Sequence, residues 1–345
     1  MTDTSDRDGG LDRLQAALTA RSMIKDWAVG AQLIALIRAV HDAGWFGRMH
    51  HETTVEELAS GTGAPIEQVS DVLEVLASAG VVDSAGASFR LSGTFDALVT
   101  GVSGVDLPTV LDGDDLARAA VAEATAAAAH GHGLDGAGAL ALARDWGVQA
   151  GAGARQLYGL VYEAVPEYRD RLAEGGPLLD VGSGVGGALL TTLALFPELR
   201  AVGAEIVPEV AAETRRRAKA VGVDSRVEVR AVDARLLEDE SAFAVCYWAQ
   251  GFFPDGTRAD VLEAVLRALR PDGLLLMQET FPPTTAQDGA TTRVALDRLV
   301  HRRQNIAFGL AAEDLLAEAE AAGFGDLRVI DSPVGRLVVA RKPAA

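Results

Sequence analysis

Residues Leu178 to Gly187 read LLDVGSGVGG, an apolar run that ends in a carboxylate and a cluster of glycines. Two ligand-binding patterns overlap in it. Gly182, Gly184 and Gly187 spell G-x-G-x-x-G, in which glycines let the backbone approach a pyrophosphate at a helix N-terminus. Asp180, Gly182, Gly184 and Gly186 spell D-x-G-x-G-x-G. The carboxylate separates the two, because it falls where the strand ends, beside a turn that in a pyrophosphate site faces negative charge. Asp180 repels such a ligand and favours one that brings a sulfonium or ammonium cation.

Working outward, strand and helix patterns alternate from Pro177 to the C-terminus, which predicts an α/β fold with a doubly wound, seven-stranded, mostly parallel sheet. The strands read PLLDVG, LRAVGAEI, RVEVRAV, AFAVCYW, GLLLMQE, LRVIDS and GRLVVARK, and the last two form an antiparallel hairpin across a Pro-Val-Gly turn. Ligands of such sheets lie across the carboxyl ends of the strands. Three acids stand at those ends in order. Asp180 closes the first strand, Glu205 the second, where a carboxylate can accept both ribose hydroxyls, and Asp233 the third, where it can accept from an adenine amino group.

The chain of 345 residues exceeds the roughly 250–300 at which single cores stop growing, so more than one domain is expected. The expected divisions are a disordered tail over 1–10, a helical winged-helix domain over 11–105, a helical connector or lid over 106–175 and a ligand-binding α/β domain over 176–345. In the second, TTVEELASGTG and APIEQVSDVLEVLASAGVV read as helix, glycine turn and helix, and VVDSAGASFRLS as a hairpin around Ser84 to Gly86. A DNA reader needs Arg or Lys on its second helix, yet from Glu52 to Phe89 there is neither, against seven acids. With a net charge of -18, nucleic acid and anionic membrane are poor partners. The lone Cys246 admits no internal disulfide, and neither a signal sequence nor a membrane span is evident, so a cytoplasmic protein is expected. His130 and His132 in AHGHGLDGAGA, like His50 and His51, lack the further ligands of a metal site and read as loop residues.

With the glycine loop and three acids in place, the chain resembles the class I S-adenosylmethionine-dependent methyltransferases, and more closely the small-molecule type with an N-terminal winged-helix dimerisation domain. The resemblance implies a Rossmann-like methyltransferase fold, S-adenosyl-L-methionine as cofactor, a small-molecule acceptor in secondary metabolism and a homodimer built through the N-terminal helices. It assigns Asp180, Gly182, Ser183, Gly184 and Gly186 to the first motif, Glu205 to the ribose, Asp233 and Ala234 to the adenine, and Ile206 and Trp248 to the cofactor. Gln250, Phe252 and Phe253, with Tyr158 and Tyr162 from the preceding helix, are candidate acceptor contacts. The histidine that O-methyltransferases carry after the fourth strand is replaced by aromatic residues in YWAQGFFPDGTR. His301 is therefore the first candidate for a proton acceptor and Glu279 the second. No carboxylate pair follows the fourth strand, so a metal-independent reaction is expected. Two alternatives follow: a pericyclase-like enzyme that keeps the cofactor for its charge, and a metabolite-sensing winged-helix regulator.

Overall fold

The computed structural model describes residues 5–125, 134–280 and 291–344; His130 and His132 lie outside them. The chain divides into two compact units, 1–100 and 101–345.

The first unit opens with α1 (Ser5–Asp42), followed by β1 (Thr53–Thr54), α2 (Val55–Thr62), α3 (Ile66–Ser78), β2 (Val82–Ala85), β3 (Ser88–Leu91) and α4 (Gly93–Thr100). The helix begins inside the stretch expected as a tail, since a nucleated helix extends through Gly9 and Gly10 at a cost of about 1 kcal/mol each. Thr54 closes a capping box with Glu57 at the start of α2, and Gly63 ends that helix at φ 75°. The strands pair antiparallel in the order β1-β3-β2, and the hairpin turns at Gly86 and Ala87, a residue beyond its expected centre. Leu58 of α2 and Val69, Leu73 and Leu76 of α3 are buried.

The second unit gathers the connector helices with the sheet. These are α5 (Leu107–Ala122), α6 (Gly136–Trp146), α7 (Ala152–Ala164) and α8 (Pro166–Ala173). There follow β4 (Leu178–Val181), α9 (Gly187–Leu195), β5 (Ala201–Glu205), α10 (Pro208–Ala220), β6 (Val227–Ala231), β7 (Phe243–Trp248), α11 (Asp255–Ala268) and β8 (Leu269–Gln278). The chain closes with α12 (Thr292–Arg303), α13 (Ala312–Ala321), β9 (Gly325–Ser332) and β10 (Gly335–Arg341). All seven expected strands form one sheet in the order β6-β5-β4-β7-β8-β10-β9, with β10 antiparallel to both neighbours. Strand order reverses between β4 and β7, which puts the β4 loop at the crevice where such sheets bind ligands.

Alternation along the strands builds two cores. Leu179, Val181, Cys246, Trp248, Leu275 and Met277 fill one face, and Leu178, Val245, Tyr247, Leu274 and Leu276 the other. Each such side chain contributes about 1.5–3 kcal/mol. Cys246 is buried and free.

Candidate active site

The loop after β4 needs its glycines for different reasons. Gly182, Gly184 and Gly186 sit at φ 68°, 55° and 80°, the left-handed region open to glycine. Gly187 does not, and its own requirement is space: a Cβ there would lie 3.0 Å from the Val148 carbonyl. The fourth glycine, which completes the dinucleotide pattern in the sequence, is thus a packing residue. Gly182 and Ser183 donate their amides to the Ala204 carbonyl at 2.9 and 3.1 Å, fastening the loop to β5.

Two carboxylates flank that loop, one in β4 and one at the end of β5. Asp180 is 2% exposed. Burial, reinforced by the charge of Glu205, pushes its carboxyl up to about 8. The protein's four tyrosines (Tyr158, Tyr162, Tyr168 and Tyr247) surround it and are themselves held neutral by burial. Glu205 is buried too, and its oxygens accept from the amides of Gly184 at 3.0 Å and Val207 at 2.9 Å. Each oxygen keeps a second lone pair for a ligand. Burial raises this carboxyl as well. Next to it Ile206 is 62% exposed, an apolar face at the strand end. Asp233 caps a short turn through the Arg235 amide and pairs with the Arg235 guanidinium at 2.6 Å, which holds its carboxyl below the usual range. Asp233, Arg235 and Leu236 line an open cavity of about 480 Å³, and Ala234 is buried beside them.

The carboxylate pair makes the site pH-sensitive in a defined direction. Asp180 ionises near the ordinary aspartate value when unfolded but keeps its proton to about 8 when folded, so the folded state binds more protons in between. Stability of the ligand-free protein is therefore expected to fall from that ordinary range towards pH 8, and Asp180→Asn should flatten the trend. A cationic ligand reverses the balance and expels the proton. Calorimetry at pH 7 in buffers of different ionisation enthalpy should register proton release on binding, absent in Asp180→Asn; equal heats in all buffers would contradict this.

Several sequence expectations are corrected by their partners. Trp248 is fully buried in the sheet core, with Arg258 5.0 Å over its ring and Phe253 edge-on at 5.2 Å. Gln250 is equally buried and its amide is spent: Nε2 donates to the Gln278 carbonyl at 3.2 Å, and Oε1 accepts from Arg258 at 2.9 Å and Leu310 at 3.1 Å. Tyr162 bonds Thr192 and packs against Tyr168 and Phe196, a core role. Tyr158 is half-buried and bonds Tyr247, whose hydroxyl donates to Gln278. The Ser183 hydroxyl turns inward against Gly203, leaving only backbone to the loop. Glu279 accepts from Arg336 at 3.0 Å and from the Ala312 amide at 3.0 Å, and the guanidinium holds its carboxyl low. It is an ionised clamp rather than a proton acceptor.

His301 stands differently. It is 9% exposed, and its Nδ1 is buried without a hydrogen-bond partner among the described residues. Burial lowers its pKa against the opposing charge of Asp297, so the ring is neutral at pH 7 and able to accept a proton. It stacks on Phe308 at 4.7 Å and lies 5.5 Å from Trp146, whose ring is 4.9 Å from Phe252. Phe252 is 43% exposed and held at φ 73°, a conformation costing on the order of 1–3 kcal/mol. Phe253 lies over Gly182, where a Cβ would meet its ring at 2.7 Å. Trp146 and Phe308 were not legible as site residues. Among the described residues no group of three or more His, Cys, Asp or Glu could hold a metal ion, and no helix is long and apolar enough to cross a membrane.

Residues 178–273 match the family described as a methyltransferase domain. The demethylmenaquinone methyltransferase of Thermus thermophilus is 33% identical over 128 residues, 36% of this chain and 56% of that protein, so the chain spans about half the length of this curated relative. An O-methyltransferase family protein from Burkholderia thailandensis superposes with a TM-score of 0.67 at 16% identity, covering 92% of this chain and 96% of its own. Human N-acetylserotonin methyltransferase, solved in complex with S-adenosylmethionine, gives 0.65 at 16% identity over 94% and 98%. The fold is that of the class I S-adenosylmethionine-dependent methyltransferases. The stretch bearing the glycine loop and the three acids is the one that matches a methyltransferase domain.

Proposed function

We propose that this chain transfers a methyl group from S-adenosyl-L-methionine to a small-molecule acceptor without a metal ion. The observation that carries the reading is the pair Asp180 and Glu205, buried at adjacent strand ends around the glycine loop, each raised by burial with no cation among the described residues lowering it. A dinucleotide would add negative charge there, whereas a sulfonium and an ammonium supply the missing positive charge. Bound at this loop, S-adenosylmethionine offers an electrophilic methyl on a leaving group that departs as a neutral thioether. Glu205 accepts the ribose hydroxyls, Ile206 covers the adenine and Asp233 receives its amino group. The residues of the chain then align the acceptor, exclude water with Phe252 and Phe253, and receive any proton at His301 Nδ1. Whether carbon, nitrogen or oxygen is methylated follows from the acceptor. Incubation with a panel of secondary metabolites should accumulate S-adenosylhomocysteine together with a product heavier by one methylene. A product isomeric with its substrate, formed without S-adenosylhomocysteine, would favour the pericyclase-like alternative.

We also propose a cytoplasmic homodimer built through α1. Leu11, Leu14, Leu18, Ile24 and Trp27 are exposed along this helix, Trp27 at 69%, an apolar surface that a second copy would cover. From Glu52 to Phe89 the chain carries seven acids and neither Arg nor Lys, where a nucleic-acid reader needs basic residues. Light scattering is expected to give twice the chain mass, and Leu14→Glu with Trp27→Glu to give the monomer. A wild-type monomer throughout the micromolar range would contradict the dimer.

A further inference from the structure

Trp146 is not among the cofactor candidates, yet the residues on either side of it are fixed to α10 and to the head of α9. Arg144 donates to Glu213 on α10 at 3.2 Å, and Arg217 of the same helix donates to the Val148 carbonyl at 3.3 Å. Gly187, at the head of α9, admits Val148 at a distance a Cβ would foreclose. The indole between these anchors is thus placed by the glycine loop and α10. It faces Phe252 and His301, and Phe308 stacks on the far side of the imidazole. Phe252 is the most exposed of these rings and lies against the indole. Within this apolar wall the buried His301 Nδ1 lacks a partner among the described residues, and an orphaned buried polar atom is costly unless a ligand completes it.

We infer that Trp146 and His301 determine acceptor specificity: a planar aromatic acceptor stacks on the indole when Phe252 swings aside and donates an N–H or O–H to His301 Nδ1. The inference rests on the methyl-transfer reading above. A nucleophile that has a proton to lose is a hydrogen-bond donor, and a neutral imidazole accepts from it. The rigid indole costs little ordering entropy on stacking.

The test uses the full-length protein saturated with S-adenosylhomocysteine and titrated with 2-naphthol, 2-methoxynaphthalene and cyclohexanol. 2-Naphthol is expected to bind about tenfold or more tightly than 2-methoxynaphthalene, which has no donor, and cyclohexanol not to bind measurably. Trp146→Ala should weaken 2-naphthol about tenfold or more, and Trp146→Phe should restore most of the loss. His301→Ala should bring the two naphthalenes to equal affinity. S-Adenosylhomocysteine affinity should stay unchanged in all three variants. Equal affinity of wild type for the three probes would overturn the inference, as would 2-naphthol binding indifferent to Trp146→Ala, or a parallel loss of S-adenosylhomocysteine in that variant. A protein that takes up 2-naphthol but no S-adenosylhomocysteine would instead remove the methyl-transfer reading and leave the aromatic platform standing.

Discussion

Arg258→Ala is expected to lower the free energy of unfolding by about 3–5 kcal/mol, the usual cost of breaking a buried ionic pair from one side. The side chain lies in the core, 1% exposed. Its guanidinium donates to Glu318 at 2.7 Å, to the Gln250 carbonyl at 3.1 Å and to the Gln250 amide oxygen at 2.9 Å, while its plane covers Trp248. Truncation leaves the Gln250 carbonyl and one face of the indole without the guanidinium, leaves the Gln250 amide oxygen with Leu310 alone, and opens a cavity in the sheet core. The same hydrogen bonds hold the segment after β7 that presents Phe252 and Phe253. Arg258→Met conserves volume and should recover part of the loss. Urea titration should show the fall as a lower midpoint at unchanged slope. A loss below about 1 kcal/mol for Arg258→Ala would mean that the pair is relaxed and solvated.

For His301→Ala the expected effect is on turnover, a fall of about 10² to 10⁴, with cofactor affinity intact. Burial keeps the imidazole neutral, and its Nδ1 is buried beside the aromatic wall without a hydrogen-bond partner among the described residues. The sign of the pH dependence follows. A lowered histidine pKa leaves the free base in place at neutral pH, so turnover should fall only as pH drops through the range below the ordinary value near 6.5, and that limb should vanish in the variant. Single-turnover kinetics with an identified acceptor would measure both. An unchanged rate in His301→Ala would mean that the acceptor arrives already ionised, with alignment by the aromatic residues as the remaining contribution.

What was legible in the sequence is what local pattern encodes. The strand periodicities located all seven strands, and the glycine loop with Asp180, Glu205 and Asp233 marked the strand ends. The terminal hairpin was readable from its turn. What escaped depends on partners distant in the chain. Glu279 reads as a free acid until Arg336 arrives from β10, and Gln250 as a pocket amide until Arg258 and Leu310 close on it. Trp248 follows strand alternation into the core, which its type alone does not reveal. Gly187 completed a misleading motif because its requirement lies with Val148. Trp146 and Phe308 gain meaning only from their meeting at His301.

On the proposed function, the carboxylate-flanked glycine loop takes a cationic methyl donor. This is tested most directly by calorimetric titration of the purified chain with S-adenosylmethionine, S-adenosylhomocysteine and NAD, repeated on Glu205→Ala. Micromolar binding of the first two is expected, with no heat from NAD and a loss of about 1.5–3 kcal/mol for S-adenosylmethionine in the variant, the usual cost of removing a charged hydrogen-bond acceptor. Tight NAD binding without any S-adenosylmethionine heat would contradict the proposed function.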